Sequence, residues 1–445
     1  MSKYSGRGLL VSFENEEDTV DAAPMVEDAD NAEAALADAG EVQADINEAE
    51  GVVDQAIEDS ETLETVASQL ESREQSGGAT PEEAEMAEIT VESICNRLGI
   101  ARNPMQSMES FSSRSSRVRA TRLSVEGIRE VGDTIWKYIV KIYKKIKEWV
   151  IKAWDYLFDA RTKLLRRAKA LEARIDKVEG TPKESVIQGN FTQALTVDNA
   201  FGGVKKTGNL KINVDKINKV AEIRIGDGIS KVIDDINKGN ADASDLGATV
   251  DKSLEEVMGP LSKDIKGSIA KAKSNKDYET VFEVPLGNDV PVIITNVAAT
   301  GATPKERFKA LQKVKVDVVK QTDKFNKDFK APVLSESDMS KALTDVISAL
   351  EDLEDTNKNI GKFRTELDKA IKKLESVGQS PVNSKETKET NKEVKEIMKA
   401  VGAIPRISSG VLTKGVKVIL EYCRSVMDYV QKSAAQYKVE DDDEE

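Results

Sequence analysis

Apolar residues recur every three or four positions between residues 129 and 178, which is the spacing of one side of an α-helix. Only 5% of the chain is aromatic and 32% is charged, a balance that favours long amphipathic helices over a compact aromatic-rich core. We therefore predict one long helix within residues 127–180. Its apolar stripe consists of Ile135, Ile139, Ile142, Ile146, Trp149, Ala153, Leu157, Ala160, Leu164, Ala168, Leu171, Ile175 and Val178.

A second apolar row widens the first half of this helix, and lysines occupy the other side. The face includes Tyr143 and all three tryptophans of the chain, Trp136, Trp149 and Trp154. Aromatic rings above a lysine-rich side are typical of helices that lie at an anionic membrane surface. The alternative is that the face packs against later helices of the same chain. The sequence leaves both interpretations open.

The charges of the chain are divided between two regions. Residues 1–126 carry 28 acidic and 9 basic side chains, a net charge of −19, whereas the remainder has a net charge of +5. A segment so acidic, with few large apolar residues, is expected to bury too little surface to offset the entropy of ordering it. We predict that residues 1–100 form a disordered acidic leader and a candidate propeptide.

A serine- and arginine-rich segment, residues 101–126, joins the leader to the body. It lacks apolar periodicity, so we predict an exposed linker that proteases can reach. Three roles remain open for it: a solvated hinge, a processing site, or an arm that contacts nucleic acid. The candidate nucleic-acid contacts are Arg114, Arg117, Arg119 and Arg122.

The rest of the chain indicates a mainly α fold with a small insert. Residues 181–300 alternate in places, as at 210–214, and two β-prone runs flank residues 286–289, which predicts an α+β insert with a β-hairpin. The pattern of residues 301–439 predicts helices that pack on residues 127–180, and we predict an acidic tail at residues 440–445. The predicted helices begin at Pro304 and continue to Phe329, then span 339–377, 394–401 and 407–437; helical spacing also occurs at 228–238 and 249–273.

Several functional classes are excluded by composition. The chain has no histidine, which removes Ser-His-Asp, Cys-His and histidine-containing zinc sites. No phosphate-binding glycine motif is present, so we expect no enzyme, cofactor, metal or small-molecule substrate. Cys95 and Cys423 lie in regions of opposite character, which favours reduced thiols over a disulfide. The sequence has no run of 18 consecutive apolar residues, so we predict no membrane-spanning helix.

An acidic leader joined through an exposed segment to a mildly basic, well-patterned body is the layout of a propeptide and its mature protein. In this layout the chain resembles the internal head proteins of large tailed bacteriophages, especially the phiKZ-like family. The resemblance implies a virion structural protein that is made in the bacterial host cytoplasm, built into the prohead core and retained inside the capsid. It also implies contact with other core proteins, a prohead protease and, non-specifically, DNA.

The same resemblance implies cleavage after a glutamate that follows a small residue two positions earlier. Two sites in the Ser/Arg segment fit this pattern: Ser107 to Glu109, and Ser124 to Glu126, with Gly127 next. Cutting after Glu109 leaves a body of net charge +8, and cutting after Glu126 leaves +5. Two alternatives remain: a peripheral membrane or helical interaction protein that uses residues 129–156, and an assembly scaffold that is never processed.

Overall fold

The computed structural model describes residues 22–100, 104–197, 200–222, 227, 230, 278–280, 282, 286–294, 315–320, 329–377 and 385–439. Most of these residues are helical, so the prediction of a mainly α fold is confirmed. The helices are α1 (Ala22–Gln75), α2 (Pro81–Arg97), α3 (Arg114–Ile175), α4 (Phe191–Ala194), α5 (Leu210–Ala221), α6 (Glu336–Val377) and α7 (Lys385–Ala434), with 3-10 turns at Met108–Phe111 and Thr207–Asn209.

Four long helices form an elongated bundle in which α3 and α7 are the central pair. Tyr143 of α3 lies beside Arg406 of α7, and Arg167 of α3 pairs with Asp428 of α7, so these two helices run parallel. Both flanking helices, α1 and α6, contact both members of the pair. The core therefore extends along the whole length of α3.

The flanking helices run antiparallel to α3. On one side, Arg129 pairs with Glu71 near one end of α1, and Arg166 lies near Asp28 at the other. On the α6 side, Arg161 of α3 donates a hydrogen bond to the carbonyl oxygen of Leu350 at 2.6 Å, and Lys144 pairs with Glu375. The helix predicted over residues 339–377 is long enough to run antiparallel to α3 in this way.

The acidic N-terminal region differs from its prediction, because residues 22–75 and 81–97 are helical and the buried residues of both helices belong to the main core. A disordered leader is therefore wrong for these residues, and residues 1–21 lie outside those described. In α1 the buried apolar residues recur mostly at alternating steps of three and four between residues 32 and 70, and many of them are alanines that allow close helix packing. This alanine seam consists of Ala32, Ala35, Ala39, Val42, Ile46, Ala49, Val53, Ala56, Leu63, Ala67 and Leu70.

The Ser/Arg segment is also more ordered than expected. Helix α3 begins at Arg114, where the Ser113 side chain accepts a hydrogen bond from the backbone N–H of Ser116. Residues 114–126 are thus the first turns of the long helix, and the prediction of an exposed linker is wrong for them. Their buried residues, Ala120, Thr121, Ser124 and Val125, continue the core stripe with side chains too polar or small to reveal it.

The β structure is small and partly as predicted. Strand β5 (Tyr278–Thr280) pairs antiparallel with β6 (Asp289–Ile294), which confirms the hairpin. A third antiparallel strand, β7 (Lys315–Lys320), pairs with β6 where a helix was predicted. Its alternating valines fit a strand, and the strand's contact with α7 gives them a surface to cover. Two-residue strands pair as β1 (Val178–Glu179) with β9 (Lys438–Val439), β2 (Val186–Ile187) with β8 (Ala331–Pro332), and β3 (Thr196–Val197) with β4 (Ala200–Phe201).

Two further helices depart from the sequence patterns. Residues 210–214 alternate but belong to α5, which packs on α6 and α7 through a strongly amphipathic face. Helix α7 continues through Pro405, although two separate helices were predicted there. A proline removes one hydrogen bond from a helix, and the buried residues that follow Pro405 hold this helix in place. The predicted helices at 228–238 and 249–273 lie outside the described residues.

The alanine seam yields a direct test of whether α1 is part of the folded protein. Leu63 is 1% exposed, so Leu63→Ala should lower the free energy of unfolding by about 2–4 kcal/mol through lost burial and a cavity. Val52 on the same helix is 37% exposed, and Val52→Ala should change it by less than about 0.5 kcal/mol. Urea unfolding followed by circular dichroism measures both. Equal stability of Leu63→Ala and the native chain would contradict this packing.

Candidate processing and nucleic-acid sites

The first candidate cleavage site lies in an exposed turn between α2 and α3. Ser107 and Glu109 are exposed, and the turn is closed by the backbone N–H of Ser110, which donates to the Ser107 carbonyl at 2.9 Å. The next residue, Phe111, is fully buried and fastens the turn to the core. Exposed connections of this kind are where proteases cut folded proteins. The Glu109–Ser110 bond is therefore accessible without loss of a long helix.

The second candidate site lies inside α3, and its residues have structural roles. Ser124 is buried and accepts a hydrogen bond from the backbone N–H of Gln106 at 3.1 Å. Gly127 faces Pro104 so closely that an added Cβ would lie 2.7 Å from the Pro104 carbonyl oxygen. Both residues thus hold the preceding segment against the helix. Glu126 is exposed, but a protease could bind it in extended form only after α3 unwinds locally.

The four arginines of this region do not act as one free cluster. Arg117 Nε donates to the Phe111 carbonyl oxygen at 2.7 Å, which ties α3 to the exposed turn. Arg122 forms an ion pair with Glu126 at 3.2 Å on the same helix face. Arg114 and Arg119 are exposed. Two of the four predicted nucleic-acid contacts are therefore already engaged within the chain.

The aromatic face of α3 packs within the bundle. Trp136, Tyr143 and Trp154 are buried, and Trp149 is half-buried against the same core. The Trp154 ring stacks on Phe158 with centroids 5.2 Å apart. These positions agree with packing against helices of the same chain, and the rings are not free to meet a lipid surface. Within the described residues, no helix has an apolar stretch that would span a bilayer.

The carboxylates of α1 meet cationic side chains of the body. This helix carries sixteen acidic residues and one basic residue, Arg73. The partners of the acidic residues could not be assigned from sequence, because the pairs join positions more than fifty residues apart. They link α1 to both central helices: Asp28 with Arg166 at 3.7 Å, Glu33 with Arg424 at 3.2 Å, Asp54 with Arg406 at 2.6 Å, and Glu71 with Arg129 at 2.6 Å.

A polar layer lies where the middle of α1 crosses α7. The Arg406 side chain is 3% exposed and pairs with Asp54, and Lys414 Nζ donates to the side chain of Asn47 at 3.0 Å. Glu50 lies one turn before Asp54 and interacts electrostatically with both cations. Burial raises the pKa of Glu50 and lowers the pKa of Lys414, because it disfavours the charged form of each.

The fold and these surfaces define a helical structural protein whose acidic and basic parts are packed together. The chain belongs to the family of phiKZ-like phage internal head proteins, whose family model matches residues 41–431. This membership makes it a structural component of the phage virion and places it inside the head. The match begins within α1 and ends within α7, so it includes residues 41–75 of the acidic helix as well as most of the body. No curated protein and no solved structure matches the chain.

Two neighbouring carboxylates of the polar layer should respond in opposite ways. Glu50 has a raised pKa in the folded state, so its stabilising contribution is full below the unfolded pKa, near 4.5, and is lost as the pH rises through the folded pKa. At pH 7, Glu50→Gln should therefore leave stability unchanged or raise it. Asp54→Asn should lower the stability by about 1–2 kcal/mol, because the buried Arg406 loses the Asp54 carboxylate, and the half-exposure of Asp54 limits the loss.

Urea unfolding at pH 5 and pH 7 checks this pair of substitutions. Native protein should lose more stability than Glu50→Gln over that interval. A larger loss for Glu50→Gln than for Asp54→Asn at pH 7 would contradict the assignment.

Proposed function

We propose that this internal head protein is a non-enzymatic component of the prohead core, and that a prohead protease cuts it after Glu109. The observation that supports this site is the position of Glu109 in an exposed turn that connects two packed helices. The pattern at Glu126 is equivalent in sequence but lies within α3. Cleavage at Glu109 would make Ser110 the N-terminus of the mature chain.

Processing would change the electrostatics of the body. Residues 110–445 have a net charge of +8 without the leader, against −14 for the whole chain. Loss of α1 would also uncover Arg166, Arg406, Arg424 and Arg129, which it now neutralises. The acidic helix would thus oppose DNA binding during assembly, and its removal would favour salt-sensitive, sequence-independent contact with packaged DNA. Other core proteins and the protease are the remaining partners in this proposal.

The N-terminus of the protein from mature particles tests the processing step. We expect sequencing to give Ser110, and Glu109→Gln to leave the chain uncut, because the protease requires glutamate at this position. The matched variant Glu126→Gln should be processed normally. A mature chain that starts at Gly127, or that is full length, would exclude cleavage at Glu109.

A second function, that of an unprocessed scaffold, is favoured by one observation. Helix α1 contributes a continuous seam to the main core, and an element that is discarded need not be packed so extensively. In this case the acidic helix would be a permanent part of the structural protein. Full-length protein at full stoichiometry in finished particles would favour this function over the first.

The extent of this packing predicts that one cut does not by itself release the leader. A chain with a foreign protease site inserted after Ser112 should, once cut, elute from a size-exclusion column as a single complex of two fragments. The alanine seam and four ion pairs hold α1 to α3 and α7 without the covalent link. Urea should separate the fragments, and Leu63→Ala should do so at a lower concentration. Separate elution in buffer alone would contradict the prediction.

A further inference from the structure

The outer side of α3 carries a row of lysines that the arginine-based prediction did not include. Lys137, Lys141, Lys145 and Lys152 are all exposed, and their spacing of four, four and seven residues places them on one side of the helix. We call these four residues the lysine face. At about 1.5 Å per residue, the face is roughly 22 Å long.

Neighbouring lysines are neutralised, whereas the lysine face is not. Lys144 and Lys147, on the side towards α6, pair with Glu375 and Asp368. Within the described residues, Lys137, Lys141 and Lys145 form no ion pair, and Lys152 Nζ lies 5.8 Å from the centroid of the Tyr156 ring. Glu148 is the one exposed acidic residue between positions 137 and 152. The face therefore presents a surplus of positive charge to solvent.

We propose that the lysine face binds the phosphate backbone of duplex nucleic acid. The choice of partner depends on the proposed function, in which the protein is packaged with DNA. Four lysines on one straight helix can reach several phosphates of one duplex, which carries a negative charge for every 1.7 Å or so of its axis. The face consists of flexible ammonium groups and has no planar side chains arranged to read base edges, so binding is independent of sequence.

The charge density of the partner favours a duplex over an acidic protein surface. A helix that supplied one carboxylate per turn would present charges about 5.4 Å apart, several times more sparsely than a duplex. Exposed ion pairs between side chains contribute little, whereas contact with DNA also releases condensed counterions. A second copy of this chain, docked through its acidic α1, is accordingly the weaker ligand.

Binding of the full chain to a short fluorescent duplex, followed by anisotropy between about 50 and 200 mM salt, tests the proposal. The triple variant K137Q/K141Q/K145Q should bind roughly tenfold more weakly at low salt. Because three phosphate contacts are lost, the slope of log binding constant against log salt concentration should also become shallower by about 2.7. The matched control K205Q/K211Q/K219Q removes three exposed lysines elsewhere and should change affinity less than about threefold.

Four results would overturn the proposal. If both triple variants bind the duplex equally weakly, only net charge matters. If only R114Q/R119Q loses affinity for the duplex, binding belongs to the start of α3. Equal affinity of the native chain and K137Q/K141Q/K145Q for the duplex at low salt would exclude the site. Loss of self-association in K137Q/K141Q/K145Q, without a change in DNA affinity, would make a second copy the ligand. None of these depends on the N-terminus found in particles, so the processing step stands or fails separately.

Discussion

The packing of acidic helix α1 along α3 and α7 is the contact on which the arrangement of the bundle depends. Alanines in the seam bring the helices close, so the carboxylates at its edges reach arginines on both central helices. The ion pairs of Arg129, Arg166 and Arg424 are partly exposed and contribute at most about 1 kcal/mol each, whereas the buried seam extends over most of α1. The seam therefore supplies most of the free energy that holds α1 on α3 and α7, and the ion pairs help fix the register of α1 against these helices.

This contact limits what the proposed cleavage after Glu109 would achieve. A cut in the turn at residues 107–113 breaks a covalent connection, but α1 remains one of four helices around a shared core. Removing the negative charge of the leader requires a second event, such as further proteolysis of α1 or competition for its arginine partners. A polyanion can compete in this way, because its phosphates can replace the carboxylates on Arg129, Arg166 and Arg424.

The accuracy of the sequence predictions followed the strength of each apolar pattern. Residues 135–175 and 339–377 carry large aliphatic side chains at regular spacing, so both helices were predictable, and the length of the second allows antiparallel packing on the first. Helix α1 is hard to predict because its acidic composition is typical of a disordered segment and its buried positions are largely alanines, which give a weak apolar pattern. The start of α3 was not predictable, because its buried positions include the polar residues Thr121 and Ser124. Their hydroxyl groups accept hydrogen bonds from residues outside the helix: Thr121 accepts one from the backbone N–H of Ala79 at 2.9 Å.

The two candidate cleavage sites show that a three-residue sequence pattern cannot by itself distinguish an exposed site from one inside a helix. Ser107 to Glu109 and Ser124 to Glu126 are equivalent as sequences, and net charge hardly separates the two products. Tertiary contacts separate them: Ser124 and Gly127 are needed to seat residues 104–106 against α3, whereas Ser107 and Glu109 are exposed. A small residue two positions before a glutamate can thus be required by packing alone. Substituting Ser124 would disturb the fold before it informed on proteolysis, so Glu109 and Glu126 are the positions at which processing can be tested cleanly.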